Sequence, residues 1–402
     1  MKNFLAFVIL LISLIPLTGE AQWTRTSLPD FGDIQTLTIL GGNILAIDIG
    51  GVIYRSSDSG ASWTKQLGSR TRTTFCNFAT IDGQIFAPLY GSGIFVSFDS
   101  GVNWTLQNSS FPITTTVALA TSGPYLFAGT SYDDQDGIYH SAVYRSIDSG
   151  ISWTPVSSGL DTSGPLYALQ VIDTNLFASN NGVYRSTDNG KSWISVTKHN
   201  AFSFAVISSS LFLGTSDSGI FRSTDNGDHW IAVSNGLPGN YTDVWNFAVL
   251  DTLLFAATLS GGPTGNVFLS TDFGAHWINE DSGLAANDVK SVAVNHAFVF
   301  AGTGNSGLWR RPLSDFFAPS SVSFPQIAGH SIQISQSGDH LFANDEGLPI
   351  EIRTSNILGA EVLSQQASGA LDVDLSALPA GVYFAVIEAG NDRQVKRIAV
   401  VH

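Results

Sequence analysis

The sequence is poor in most of the groups that chemistry or covalent reinforcement draws on. Of 402 residues only Cys76 is a cysteine, so the chain forms no internal disulfide and must hold together by burial and hydrogen bonding. Charged residues make up 13%, with 18 basic against 33 acidic, a formal −15. The few Lys and Arg are scattered, which argues against nucleic acid or any other polyanionic partner, because phosphate binding needs clustered positive charge. The eight histidines show no metal-ligand spacing, and no Gly-Lys phosphate cradle exists. Beyond the N-terminus no stretch approaches the ~18 unbroken apolar residues of a spanning helix. Between Gln22 and Asp315 there is one glutamate, Glu280, and 23 acidic residues face 13 basic ones, a formal −10.

What the chain does have is glycine, 40 of them, and a repeat. The pattern Ser-x-Asp-x-Gly-x-x-Trp occurs six times, at Ser56–Trp63, Ser97–Trp104, Ser146–Trp153, Ser186–Trp193, Ser223–Trp230 and Ser270–Trp277. Its aspartates, Asp58, Asp99, Asp148, Asp188, Asp225 and Asp272, are spaced by 41, 49, 40, 37 and 47 residues, and each box closes on Trp63, Trp104, Trp153, Trp193, Trp230 or Trp277. A period of that size signals an array of supersecondary units. Each box follows a short strand such as Val183–Ser186. An earlier strand carries Leu45-Ala46, Phe86-Ala87, Phe127-Ala128, Phe177-Ala178, Phe212-Leu213, Phe255-Ala256 or Phe300-Ala301, a series with seven members. An alternating apolar run precedes it, and a polar–apolar strand follows each Trp. Four short strands per unit spell a propeller blade. The seventh unit loses its box at Pro312-Leu313, while Gln22-Trp23-Thr24-Arg25 resembles an outer strand without the three that should precede it. Joining the two closes a seven-bladed ring and hides a sheet edge.

The boxes resemble the Asp-box, or bacterial neuraminidase repeat. That family implies a structural turn between the third and fourth strands, with Asp accepting backbone N–H groups, Gly supplying positive φ and Trp burying its ring. The six aspartates and the recurrent Arg55, Arg145, Arg185 and Arg222 are therefore expected to be structural, not catalytic or metal-binding. Sialidases share such boxes, but they need three arginines on the substrate carboxylate and a Tyr–Glu nucleophile pair. Outside the repeat the propeller offers Arg25, Arg70, Arg72 and Arg311, no Arg-Ile-Pro motif, and Glu280 on an outer strand. No catalytic residue is assigned. Xyloglucan-cleaving propellers form their cleft with a second propeller, and this chain has one. A single seven-bladed propeller of this kind also resembles photosystem-II assembly proteins, a biology that the export signals oppose.

Both ends read as export signals. Met1–Ala21 has a basic start, an apolar run from Phe4 to Leu17 and small residues before Gln22, the pattern of a cleaved secretory signal. After the propeller (22–315), a Pro-containing linker (316–325) leads to a small β domain (326–402) expected to be a sandwich. Its Leu371–Leu375 run, Pro379-Ala380-Gly381-Val382-Tyr383-Phe384 and closing Lys396-Arg397-Ile398-Ala399-Val400-Val401 resemble the C-terminal sorting domain of the type IX secretion system of Bacteroidota. Pro325-Gln326 stands where that family usually has Asn-Pro. The resemblance implies handling by the type IX machinery, passage through the periplasm and attachment to the outer cell surface, with no transmembrane segment in the mature chain. The fold class is thus all-β, and the expected role is a surface-attached binding or scaffold module. The alternative is a carbohydrate-active hydrolase or lyase.

Candidate site residues come from comparing equivalent positions. Twelve residues before each second-strand Phe or Leu stand Asp33, Thr74, Thr115, Pro165, Asn200, Asp243 and Asp288. Asp33, Asp243 and Asp288 fall on neighbouring blades once the ring closes. Trp245 lies beside them, the only Trp outside the boxes and the two ring-closing strands. Carboxylates beside an exposed aromatic suit a neutral glycan or a divalent cation; a surface protein is the other partner considered. No metal site and no cofactor are assigned. The loop Ser131–His140 has Asp133, Asp134 and Asp136, which loosely resemble a structural calcium loop without its spacing or terminal Glu.

Overall fold

The computed structural model describes residues 23–316 and 333–400, apart from 29–31, 69–76, 108–114, 134–135, 137–138, 173, 240–241, 261–264, 287, 338–339, 357–360, 379–380 and 390–391. The expected signal segment, most of the linker, Arg70, Arg72, Thr74, Cys76 and Asp134 lie outside the described residues. Seven four-stranded antiparallel sheets follow one another along the chain. In six of them the strand order is the chain order, as in blade one, Ile34–Leu40, Asn43–Asp48, Ile53–Ser56 and Thr64–Leu67. The seventh takes three strands from Val289–Pro312 and its outermost one, Thr24–Arg25, from the other end of the chain. Thr24 pairs with Arg310 and Arg25 with Trp309, so the ring closes as the sequence predicts.

Each box is a tight turn held by its own side chains. The Ser hydroxyl donates to Asp Oδ1 at 2.7–2.9 Å and accepts the Gly N–H at 2.8–2.9 Å in all six. The residue four places after the Asp donates its N–H to Oδ1. Its side chain, Ser62, Asn103, Ser152, Ser192, His229 or His276, reaches Oδ2 at 2.5–2.7 Å. The residue before each box Gly and the Gly itself both have positive φ, for example Ser100 at 59° and Gly101 at 84°.

The boxes also join the blades. A Cβ on Gly101 would lie 2.9 Å from Leu45 of the preceding blade, and one on Gly274 would lie 2.9 Å from Phe212 of the preceding blade. The approach is nearly as close, 3.0 Å, for Gly60 on Phe300 and Gly227 on Phe177, and relaxes to ordinary contact, 3.5 Å, for Gly150 on Phe86 and Gly190 on Phe127. The second-strand Phe or Leu therefore fits beneath the next blade's box. Beside it the third-strand Arg crosses the same gap, Arg55 to Ser100 O (3.0 Å), Arg145 to Asn189 O (3.0 Å), Arg185 to Asn226 O (2.6 Å), Arg222 to Phe273 O (3.2 Å) and Arg310 to Ser59 O (2.5 Å). Blade two has Val96 at that place, and Gln107 reaches Ser149 O instead, at 3.5 Å.

The C-terminal residues form a five-stranded antiparallel sheet. The long strand His340–Asn356 pairs with Gln333–Ser337 through its first half and Gly381–Ala389 through its second, with Glu361–Asp374 along both. A register shift between Asn344 and Pro349 lets one strand run where the sequence pattern shows a break. Leu341, Ile350, Ile352, Val373, Leu375 and Ile387 form its buried core.

Two expectations follow. Trp23 is 3% exposed, donates its indole N–H to Glu280 O at 2.8 Å and meets Phe316 edge-on. Removing residues 22–28 should therefore cost about 3–5 kcal/mol, the scale of deleting a buried Trp, read as a lower denaturation midpoint; an unchanged midpoint would refute closure by this strand. The second concerns acid. Hydrogen bonds from the residue four places on, through the side chain first in Asp58 and Asp188 and through the backbone first in Asp99 and Asp225, hold these carboxyls at about 2 instead of 3.8. A carboxyl depressed in the folded state contributes stability that is present above its unfolded pKa and lost as pH falls through the folded one. The melting temperature should accordingly fall between roughly pH 4 and pH 2, and box Asp→Asn variants should flatten that fall.

Candidate functional site

The innermost strands of the seven blades line the central channel, and almost all of them share one irregularity. Register slips by one residue between Ile34 and Thr36, Thr116 and Ala118, Ala201 and Ser203, Val244 and Asn246, and Val289 and Ser291. In blade four the Tyr167 N–H bonds Ser179 O, and Ala168 pairs with the same residue. The extra residue of each bulge is Gln35, Val117, Tyr167, Phe202, Trp245 or Lys290. A bulge breaks the two-residue alternation and re-aims a side chain. Here it turns that residue toward the axis: all but Val117 line a cavity of about 340 Å³, near the lower end of the roughly 300–1,000 Å³ usual for small-molecule sites. The next residue seals the ring. The Asn77 side chain brackets the Leu119 backbone at 2.7 Å twice, Ser203 donates to Val244 O, Asn246 accepts from Val292 N–H and Ser291 donates to Ile34 O.

The lining is two-sided. Tyr167, Phe202 and Trp245 form a run of rings across blades four to six, with centroids 5.0 and 5.3 Å apart. Lys290 and Gln35, on blades seven and one, are polar, and the Lys290 ammonium stands 6.0 Å from the Trp245 ring centroid. Of the candidates, Trp245 lines the cavity and the three aspartates are not among its lining residues. Asp33 accepts from Lys290 at 2.9 Å and from the Gln35 amide at 2.5 Å, and Asp288 lies 3.7 Å from the same ammonium. Asp33 and Asp288 thus orient the two polar groups that do face the cavity. Asp243 keeps the equivalent register, paired with Leu259, but stands apart; burial and then Asp217 raise its pKa. The place between Asp33 and Asp288 that a divalent cation would need holds the Lys290 ammonium. Among the described residues no three His, Cys, Asp or Glu lie close enough to hold a metal. Glu280, far along the outer strand, is paired with Arg311 at 3.2 Å.

Counting back to the ring position therefore found the supporting carboxylates and missed Gln35, Tyr167, Phe202 and Lys290. The signal was two residues further on, where each blade's bulge falls.

The comparisons with known proteins fit this geometry at the level of fold and destination. Residues 329–401 match the secretion system C-terminal sorting domain family. That tail is a type IX sorting domain and implies export and delivery to the cell surface; among the described residues no helix is long and apolar enough to cross a membrane. No curated protein matches the chain by sequence. Among solved structures, YCF48 bound to a D1 peptide is 14% identical with a TM-score of 0.56, covering 76% of this chain and 97% of its own. YCF48 from Cyanidioschyzon merolae is 15% identical with a TM-score of 0.54, covering 73% and 98%. A GH74 xyloglucanase from Xanthomonas campestris is 15% identical with a TM-score of 0.56, covering 81% of this chain and 60% of its own. At such identities the likeness shows the fold, a propeller, and nothing of the ligand.

Asp288 gives a test of the arrangement. Burial foremost, with Asp33 adding to it and Lys290 opposing it, pushes its carboxyl above 3.8, and its Oδ1 has no hydrogen-bond partner. A carboxyl raised in the folded state opposes folding wherever it is ionised, so Asp288→Asn should leave the melting temperature at pH 7 unchanged or higher. Asp33→Asn removes the closer partner of Lys290 and should cost about 1.5–3 kcal/mol, the scale of a hydrogen bond to a charged group. Equal losses from both would show that the two carboxylates share the ammonium evenly.

Proposed function

We propose that this is an exported, surface-attached binding module that takes a neutral glycan at the mouth of its channel. The observation that carries the reading is the lining itself: a run of three aromatic rings facing amides, hydroxyls and one ammonium already neutralised by a carboxylate. Aromatic faces bury the C–H surface of a sugar ring, while amides and hydroxyls exchange hydrogen bonds with its hydroxyls in place of water. Among the described residues lining the cavity the one cation, Lys290, is already paired with Asp33, and an anionic ligand would approach through the field of a propeller with a formal −10. The six boxes, built alike, support reading them as Asp-boxes with no part in binding. Delivery outside the cell by the sorting tail places such a module where polysaccharides are encountered.

A hydrolase is the weaker reading. Glycoside hydrolysis by the common routes uses a pair of carboxyl groups flanking the bond. Among the described residues lining the cavity there is none, and Asp33 and Asp288 are engaged with Lys290. The deciding experiment is a neutral-glycan array on the full chain beside Trp245→Ala, with a polysaccharide hydrolysis screen in parallel. Binding that falls about tenfold or more in Trp245→Ala, as for loss of ~1.4 kcal/mol, with no hydrolysis, supports the reading. Unchanged binding by that variant sends the site elsewhere, and turnover revives the hydrolase.

A further inference from the structure

Blade three has the longest second and third strands of the seven blades. Tyr125–Asp133 and Tyr139–Ser146 run to nine and eight residues, against eight and six in blade six and five and four in blade four. The extra pairs, Tyr132 with His140 and Asp133 with Tyr139, stand above the rim of the ring. Strand alternation gives the two faces of this hairpin different neighbours. Tyr132 and His140 share a face with Ala128 and Tyr144, which pack toward blade two. Tyr139 and Asp133 share the other face with Ser141 and Val143. That face is fixed to blade four, by the Ser141 N–H donating to Thr162 O at 3.1 Å and by Val143 in one core cluster with Leu166 and Leu169. Tyr139 is thereby set on the side of Tyr167, the first ring of the cavity.

Tyr139 is 49% exposed although it is aromatic and sits on the better anchored face of its hairpin. Burial first raises the pKa of both Tyr167 and Tyr90; Tyr139 adds to it at Tyr167, and Asp133 and then Tyr139 add to it at Tyr90. Tyr90 packs against the core cluster that holds Val117, the bulge residue of blade three, and Leu166. Beyond the run of Trp245, Phe202 and Tyr167 stands Tyr139, on the face of the hairpin that is turned to blade four.

We propose that Tyr139 is a stacking platform outside the cavity, and that the ligand is a neutral polysaccharide chain whose end seats against Trp245 and whose body passes over Tyr139. The inference rests on the neutral-glycan reading of the cavity and adds length to it. A cavity of about 340 Å³ holds only the end of such a chain, and a second aromatic face along the exit gives the next sugars something to bury. Asp133, the register partner of Tyr139 and exposed, stands ready to accept from sugar hydroxyls.

The test uses the full chain and size-graded ladders of neutral gluco-, xylo- and manno-oligosaccharides, titrated calorimetrically. The parent should bind longer members of its preferred ladder more tightly than the shortest. Tyr139→Ala should weaken the long members about tenfold, equivalent to ~1.4 kcal/mol, and leave the shortest unchanged, while Tyr139→Phe keeps the parent behaviour because the ring is retained. Tyr132→Ala, on the opposite face of the same hairpin, should change neither. A Tyr139→Ala protein with the parent's dependence on length overturns the platform while the cavity reading stands. A Trp245→Ala protein that binds as the parent does overturns the cavity reading instead, and a parent that binds no ladder overturns both.

Discussion

One contact, repeated around the ring, decides whether this protein has a structure. A blade alone is a four-stranded sheet with both faces in need of cover, and the chain has no disulfide to compensate. Cover comes from the neighbour: the second-strand Phe or Leu of one blade fits beneath the box glycine of the next, where at four of the six joints a Cβ would crowd it. The Asp turn supplies the two positive-φ residues that bring this glycine down onto the ring, and the carbonyl of the first of them accepts the Arg from the same preceding blade. Turn geometry, hydrophobic burial and hydrogen bonding are thus three aspects of one joint. This also explains why closure matters. The joint between blades seven and one is Phe300 beneath Gly60 and Arg310 on Ser59 O, and Thr24–Arg25 covers the outer edge of the strand that carries Arg310.

That joint is why so much of the fold was legible. Ser, Asp, Gly and Trp in the box and Phe-Ala in the second strand are each required by it, so they recur at blade spacing and can be counted. The count of seven came from the Phe series because the seventh blade has no box yet still needs its Phe300 beneath Gly60. In the C-terminal domain no such recurrence exists, and the register shift near Pro349 of strand His340–Asn356 leaves no distinguishing mark, because polarity along the sequence does not tell a bulge from an end.

The site was less legible for a related physical reason. Counting back from a conserved register assumes that side chains keep alternating, and the inner strands break that assumption at one residue each. Asp33 and Asp288 were found because they hold the same backbone place in their blades. The residues that face the cavity, Gln35 and Lys290, follow each by two, beyond the slip. The paired register is visible only in three dimensions, although the series Gln35, Val117, Tyr167, Phe202, Trp245, Lys290 has the constant offset of a single structural position.

On the reading proposed above, that series is where function would reside in such a ring. The box positions are nearly invariant from blade to blade because all make the same joint. The bulge positions share no common contact, Val117 joining a buried cluster and Lys290 bonding Asp33; their neighbours one residue on, Asn77, Ser203, Asn246 and Ser291, do the sealing. Freed from that duty, the bulge residues range from Val to Trp to Lys while sharing one backbone environment, and their differences are arranged, with rings gathered on blades four to six and polar groups on seven and one. A scaffold alone would gain nothing by sorting them. A ligand with an apolar face and a hydroxyl-bearing edge would meet both kinds of group at once, and the aspartates beside the polar sector's one ammonium keep it neutralised and pointed inward.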